Sequence, residues 1–204
     1  ESFELNHVWK PGASWTHDEF VANNPKYPKP FRHDFNAQGW IESYDVEKPK
    51  PPGTYRIFYL GDSFTEGTAP MDQSVPSLVE TALNRRAKDK KTGTRFEVIN
   101  AGTSSYSPVI YYTLLRHVVF DYAPDLVVIQ VDMTDDFDDW KYGKTAILDE
   151  AGNPWAIPPR NPYESAYFDS SEGVIEASFW TRTQMFLVRN SYFYNYLLAE
   201  AAKE

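Results

Sequence analysis

The sequence predicts an α/β protein with three layers, α/β/α, around a mainly parallel sheet. Short apolar runs at 56–60, 95–100 and 126–131 have strand length, and helical periodicity separates them. Each connection is long enough to hold a helix and return the chain parallel to the strand before it. With 204 residues, 42% of them hydrophobic, the chain can bury one sizeable core and is expected to form a single domain.

The first 54 residues are rich in proline and aromatics, including Trp9, Trp15, Trp40 and the run Pro25-Lys26-Tyr27-Pro28-Lys29-Pro30. Proline fixes φ and removes a ladder donor, so this stretch is expected to be an extended arm wrapped over one sheet edge. A carbohydrate-stacking surface is the sharper alternative. The α/β core then spans 55–139. Its first strand, 56–60, is followed by Val75, Leu78, Val79, Ala82 and Leu83 at helical spacing, with Pro76 in the first turn. After the strand at 95–100 comes a helical stretch over 109–120. Pro124-Asp125 leads into 126–131, whose near-continuous apolar character is typical of a strand covered on both faces.

Residues 140–177 mix Trp140, Tyr142, Trp155, Tyr163, Tyr167 and Phe168 with Pro154, Pro158, Pro159 and Pro162. Aromatics at this density can bury area, so a long ordered insertion is expected there. From 178 to 204 there is neither glycine nor proline, which predicts a long helix; no cap signal closes it, so it is expected to be cut short.

A net charge of -9 disfavours nucleic acid, and the one dense basic run, Lys88-Asp89-Lys90-Lys91, suits a solvated helix end. Without cysteine there is no disulfide framework, thiolate metal site or thiol nucleophile. No apolar run approaches the ~20 residues of a membrane helix. Neither G-x-G-x-x-G nor G-x-x-x-x-G-K-[ST] occurs, so no dinucleotide or nucleotide cofactor is expected, and G-x-S-x-G is absent at Ser63.

The strand at 56–60 stops at Gly61-Asp62-Ser63. A serine just past the carboxyl end of a parallel strand lies where such sheets collect ligands, and a preceding glycine lets the backbone turn without a Cβ clash. The run Gly61-Asp62-Ser63-Phe64-Thr65-Glu66-Gly67 resembles the first sequence block of the SGNH (GDSL-type) hydrolases. Ile99-Asn100-Ala101-Gly102 resembles the second block. Pro124-Asp125-Leu126-Val127-Val128-Ile129-Gln130-Val131, followed by Asp135-Asp136, resembles the third, and Asn36-Ala37-Gln38-Gly39-Trp40 matches a stretch that commonly precedes the first strand in bacterial members. The resemblance covers 36–139.

It implies a flavodoxin-like SGNH fold and a serine esterase or O-acyltransferase acting on an acyl ester, with acetyl groups on carbohydrate as the expected substrate class. Ser63 would be the nucleophile, with its own N–H and that of Gly102 as oxyanion donors. Asp62 is expected to hold the corner. Where the family has an asparagine donor this chain has Asp135, followed by Asp136. An ionised carboxylate offers no donor, and like charges at ~4 Å cost about 4 kcal/mol at an effective dielectric near 20. Burial could protonate Asp135, Thr134 could donate instead, or activity has been lost.

Family members also carry an Asp-x-x-His. None of His7, His17, His33 and His117 has an aspartate three residues before it, so the pair is expected beyond Glu204. A rival reading is therefore an SGNH-like scaffold without catalysis, a binding or assembly subunit whose protein partner docks on the insertion and the helix with Trp180, Phe186, Tyr192 and Tyr196. A receiver-like domain with Asp132 as phosphoacceptor is disfavoured, because Asp62 is one carboxylate where a metal-holding pair is needed. Asp132, Asp135, Asp136, Asp138 and Asp139 invite a Mg²⁺ or Ca²⁺ reading, yet match no EF-hand spacing; caps and surface charge are preferred and no metal is expected. The first residue, Glu1, and the habit of the family give an expectation of an extracytoplasmic or membrane-associated location.

Overall fold

At the centre of the computed structural model, β3 (Thr54–Leu60) lies between β4 (Arg95–Asn100) and β5 (Leu126–Ile129) in a three-stranded sheet of order β4-β3-β5, parallel throughout. The structure describes residues 2, 4–17, 30–132 and 135–158, with 135–138 by their backbone alone. Tyr59 faces Asn100 on one side and Val128 on the other, so all three strands deliver their carboxyl ends to one rim. Before the sheet come two short antiparallel strands, β1 (Ser14–Thr16) and β2 (Arg32–Asp34), within the arm expected to lack regular sheet. After it come β6 (Ile147–Leu148) and β7 (Pro154–Ala156), again an antiparallel pair.

Four α-helices join these strands among the described residues: α1 (Ser63–Glu66), α2 (Val75–Lys90), α3 (Pro108–His117) and α4 (Asp135–Gly143). The α2 start is dictated locally: Ser74 is its N-cap, its hydroxyl accepting from the Ser77 amide, and Pro76 sits in the first turn where no N–H is needed. It runs on to Lys90, past the apolar spacing that announced it, and ends on Lys91 in the left-handed region at φ 54. The helix expected over 109–120 stops at His117; a 3-10 turn, Val119–Tyr122, follows, and Ala123 at φ 49 ends it. Phe58, Leu60 and Ile99 from the sheet meet Ile110, Tyr111 and Leu114 from α3 in the core, with Trp40, Phe58 and Tyr122 in mutual ring contact.

The β4 edge is sealed by side chains. Its outward amides recur every second residue: Phe96 donates to Asn84 Oδ1 at 2.8 Å, Val98 to Glu80 Oε2 at 2.7 Å and Asn100 to Glu42 Oε1 at 2.7 Å. Asn84 also donates back to the Phe96 carbonyl at 2.8 Å. Two strand residues advance about 6.6 Å and four helical residues about 6 Å, so Glu80 and Asn84 on α2 are matched to alternate amides of a neighbouring strand. An edge occupied in this way cannot template another strand. The arm does reach this edge, through Glu42.

Across the sheet β5 departs from expectation. It is not covered on both faces: Leu126 and Ile129 are 45% and 46% exposed. β3 is its sole strand partner among the described residues, and its apolar run does not report burial. Residues 140–143 belong to α4 and 144–158 carry the β6-β7 pair; the remainder of the expected insertion and the expected helix over 178–204 lie outside the described residues.

Two buried ionisable side chains hold the sheet to its surroundings. Arg56, fully buried on β3, donates from Nε to Glu97 Oε2 at 2.9 Å and from Nη1 to the carbonyls of Glu47 and Tyr122 at 2.9 and 2.7 Å. Its Nη2 lies 2.8 Å from the same Glu97 oxygen. Glu42 is the second. Burial pushes its carboxyl up to about 8, against the Asn100 amide bond and assisted by the charges of Glu80 and Glu97. The folded state therefore keeps a proton that the unfolded chain releases above about 4.5, and stability falls as pH rises from that value towards 8. Glu42→Gln keeps an acceptor for Asn100 and removes the titration. Urea unfolding at pH 5 and pH 8 is expected to show the wild type losing on the order of 3 kcal/mol more than the variant across that interval; equal losses would refute a protonated Glu42.

Candidate active site

The corner after β3 is built by its own side chains. Asp62 is the N-cap of α1, its carboxylate accepting from the Phe64 amide at 2.9 Å, which closes the turn that carries Ser63. Burial raises the Asp62 pKa, opposed by that amide bond and assisted by the charge of Asp132. Ser63 is half-buried, and no hydrogen bond joins its hydroxyl to any described residue. Phe64 beside it is 64% exposed.

Gly61 is needed for a reason other than the turn. Its φ is not positive; a Cβ there would stand 2.0 Å from Thr65 Oγ1 and 2.7 Å from Thr65 Cβ. Gly102 faces the same residue from the other side, where a Cβ would lie 2.4 Å from the Glu66 amide nitrogen and 2.7 Å from the Thr65 carbonyl carbon. Thr65, 2% exposed, thus fills a space left by two glycines on neighbouring strand ends. The Thr103 amide donates to the Gly61 carbonyl at 3.1 Å and completes the junction. The loops carrying Ser63 and Gly102 are therefore in direct contact at one rim of the sheet.

The amide of Gly102 is not free, however. It donates to Asn100 Oδ1 at 3.1 Å, so it reaches an oxyanion only by sharing or breaking that bond. In the same loop Ala101 donates to Tyr59 O, Thr103 to Gly61 O, Ser104 to Glu66 Oε2 and Tyr106 to Thr103 O. The amides of Ser105 and Ser107 have no acceptor among the described residues. Ser107 is fully buried, whereas Ser105 is exposed and held at φ 64. Ser105 is thus the available donor of this loop, and no sequence signal marks a serine in a conformation that usually calls for glycine or asparagine.

Glu66 is a further residue of the site, one that no sequence signal marks. Its buried Oε2 accepts from the Ser104 amide at 2.7 Å, the Ser104 hydroxyl at 2.8 Å and Trp9 Nε1 at 3.3 Å. One carboxylate joins α1, the β4 loop and the arm. The arm adds His7, whose Nε2 meets the Ser104 carbonyl at 2.7 Å. His7 Nδ1 faces Asn6 Oδ1 at 2.9 Å, while Asn6 Nδ2 donates to the Pro158 carbonyl. Both ring nitrogens thus have partners away from Ser63. His33 spends Nε2 on the Ala69 carbonyl and Nδ1 on His17 Nε2; His117 Nε2 meets the Trp155 carbonyl. No described histidine is hydrogen-bonded to Ser63.

Asp135 and Asp136 open α4, and their side chains lie outside the described residues, as does Thr134. From the acidic group, Asp139 Oδ1 accepts the Val109 amide at 2.6 Å and caps α3. Among the described residues no three His, Cys, Asp or Glu side chains are grouped to hold a metal, and no helix is long and apolar enough to cross a membrane. Set against protein-family models, curated proteins and solved structures, the chain matches none.

Proposed function

We propose that this chain is an SGNH-like serine esterase or O-acyltransferase built on a three-layer α/β/α core, with an acyl ester as substrate and acetyl groups on carbohydrate as its expected class. The observation that carries the reading is the junction of the two loops. A serine hydroxyl without a partner among the described residues follows the central parallel strand, beside a loop in which Ser105 is exposed and its amide has no acceptor among the described residues.

In this reading Ser63 Oγ attacks the acyl carbonyl carbon, and the C=O electron pair moves to the oxygen, which the N–H groups of Ser63 and Ser105 steady. The ester C–O bond then breaks, the alcohol leaves with the proton that the base took from Ser63, and water or a second hydroxyl takes the acyl group from Ser63. The serine proton goes to a base outside the described residues. A fluorophosphonate probe is expected to label Ser63 in the intact protein, with labelling lost in Ser63→Ala when digests are mapped by mass spectrometry. No label under conditions that modify an ordinary serine esterase would end the catalytic reading.

One observation favours a second reading, a scaffold without catalysis that binds or assembles with a partner. Each of the four histidines has its Nε2 engaged elsewhere, three on backbone carbonyls and one on another imidazole. The same labelling experiment separates the two.

A further inference from the structure

Asn100, at the end of β4, is 1% exposed, and its amide nitrogen and both side-chain polar atoms have partners. Its backbone amide donates to Glu42 Oε1 at 2.7 Å, its Nδ2 to the Glu66 carbonyl at 3.4 Å, and its Oδ1 accepts the Gly102 amide at 3.1 Å. The Glu66 carbonyl belongs to the short helix that starts at Ser63, and Gly102 begins the loop that presents the Ser105 amide. One side-chain amide therefore spans the two segments whose spacing decides where an oxyanion can sit. Glu42, itself in a loop of the arm, fixes the backbone from which that side chain departs. A buried primary amide suits the task because it donates at one end and accepts at the other in one rigid plane, which neither a carboxylate nor a hydroxyl reproduces.

We propose that Asn100 is a positioning residue of the Ser63 site, setting the distance between the serine hydroxyl and the Ser105 amide. The inference rests on Ser63 being the nucleophile. Asn100 touches no reacting atom; it acts through the Glu66 carbonyl and the Gly102 amide. Its loss would remove one of the ties between the two loops, beside those from Ser104 to Glu66 and from Thr103 to Gly61, and let their spacing shift; small displacements of that kind lower rates steeply.

The test compares wild type with Asn100→Ala, both well below their unfolding temperatures. With a fluorophosphonate, Ser63 Oγ forms a bond to phosphorus, the P–F bond breaks, fluoride leaves, and the phosphoryl oxygen needs the oxyanion donors. Labelling of Ser63 in Asn100→Ala is expected to slow about tenfold or more, with kcat for 4-nitrophenyl acetate falling in parallel and KM changing by no more than about threefold. In a Ser63→Cys background iodoacetamide alkylates the thiolate and forms no oxyanion. There the rate is expected to stay within about twofold whether residue 100 is asparagine or alanine. Equal fluorophosphonate rates in wild type and Asn100→Ala would overturn the inference and leave the nucleophile standing. An unlabelled wild type would overturn both. A change in alkylation as large as that in phosphonylation would mean loss of local structure, and would overturn the positioning role as well. Asn100→Ser, less disruptive in size, carries the same expectations if the alanine variant does not fold.

Discussion

Gly102→Ala is expected to destabilise the protein by on the order of 3 kcal/mol or more and to abolish any reactivity of Ser63. The added methyl group would meet the Glu66 nitrogen at 2.4 Å and the Thr65 carbonyl carbon at 2.7 Å, both backbone atoms of the turn that begins at Ser63. Backbone cannot rotate away, so α1 has to leave its place beside β4. Gly61→Ala makes a different clash, with Thr65 Oγ1 at 2.0 Å and Thr65 Cβ at 2.7 Å. Removing the Thr65 side chain in a Gly61→Ala, Thr65→Gly double variant should therefore recover part of the lost stability, while Thr65→Gly should do little for Gly102→Ala. Urea unfolding of the singles and doubles measures this. A Gly102→Ala protein as stable as wild type would show that the two loops are not in contact.

Arg56→Ala is expected to cost about 3–5 kcal/mol, because it leaves Glu97 buried without its cation and strips donors from the carbonyls of Glu47 and Tyr122. Glu97 is 4% exposed, and its other cationic neighbour, Arg95, approaches only to 3.5 Å and is largely solvated. Replacing both partners with apolar residues, Arg56→Met with Glu97→Leu, should be less damaging than Arg56→Met alone, since the expense of an ion pair in this interior lies in orphaning one member. Denaturant midpoints for the two singles and the double form the cycle that decides it. Additive losses would mean that Arg56 matters through the Glu47 and Tyr122 carbonyls instead.

Neither effect is visible in the sequence. Arg56 sits among apolar neighbours and breaks the run only once, and nothing local indicates whether such a residue turns outward or finds a buried carboxylate 41 positions on. Glycines at 61 and 102 were legible as special. Their reason was not, since a turn explains Gly61 from sequence whereas the structure needs it for the close passage of Thr65. The reverse error occurs at 126–131, where an apolar run suggested cover on both faces. A strand with residues as exposed as Leu126 and Ile129 can be equally apolar, so composition alone does not separate the two cases.

The candidate site was readable as a place and incompletely as a set of groups. Asp62 and Ser63 follow one another in the chain, and an Asx cap needs only that local order. Gly102 came from resemblance, and its amide turns out to be bonded to Asn100. Which amide of a loop stays unbonded depends on every other acceptor around it, among them Glu66, Tyr59 and Gly61. Ser105 emerges only when those are counted.

By itself the sequence determined the three strands of the parallel sheet, the helices α2 and α3 between them, the parallel order this demands, and the corner at Gly61-Asp62-Ser63, because periodicity, proline, and Asx or glycine turns act over a few residues. Tertiary structure alone decided that two glycines enclose Thr65, that Arg56 and Glu42 are buried with charged neighbours, and that Asn100 ties the serine's helix to the neighbouring loop. Those outcomes depend on segments far apart in the chain meeting within hydrogen-bond distance, and at that range only the fold sets which donor finds which acceptor.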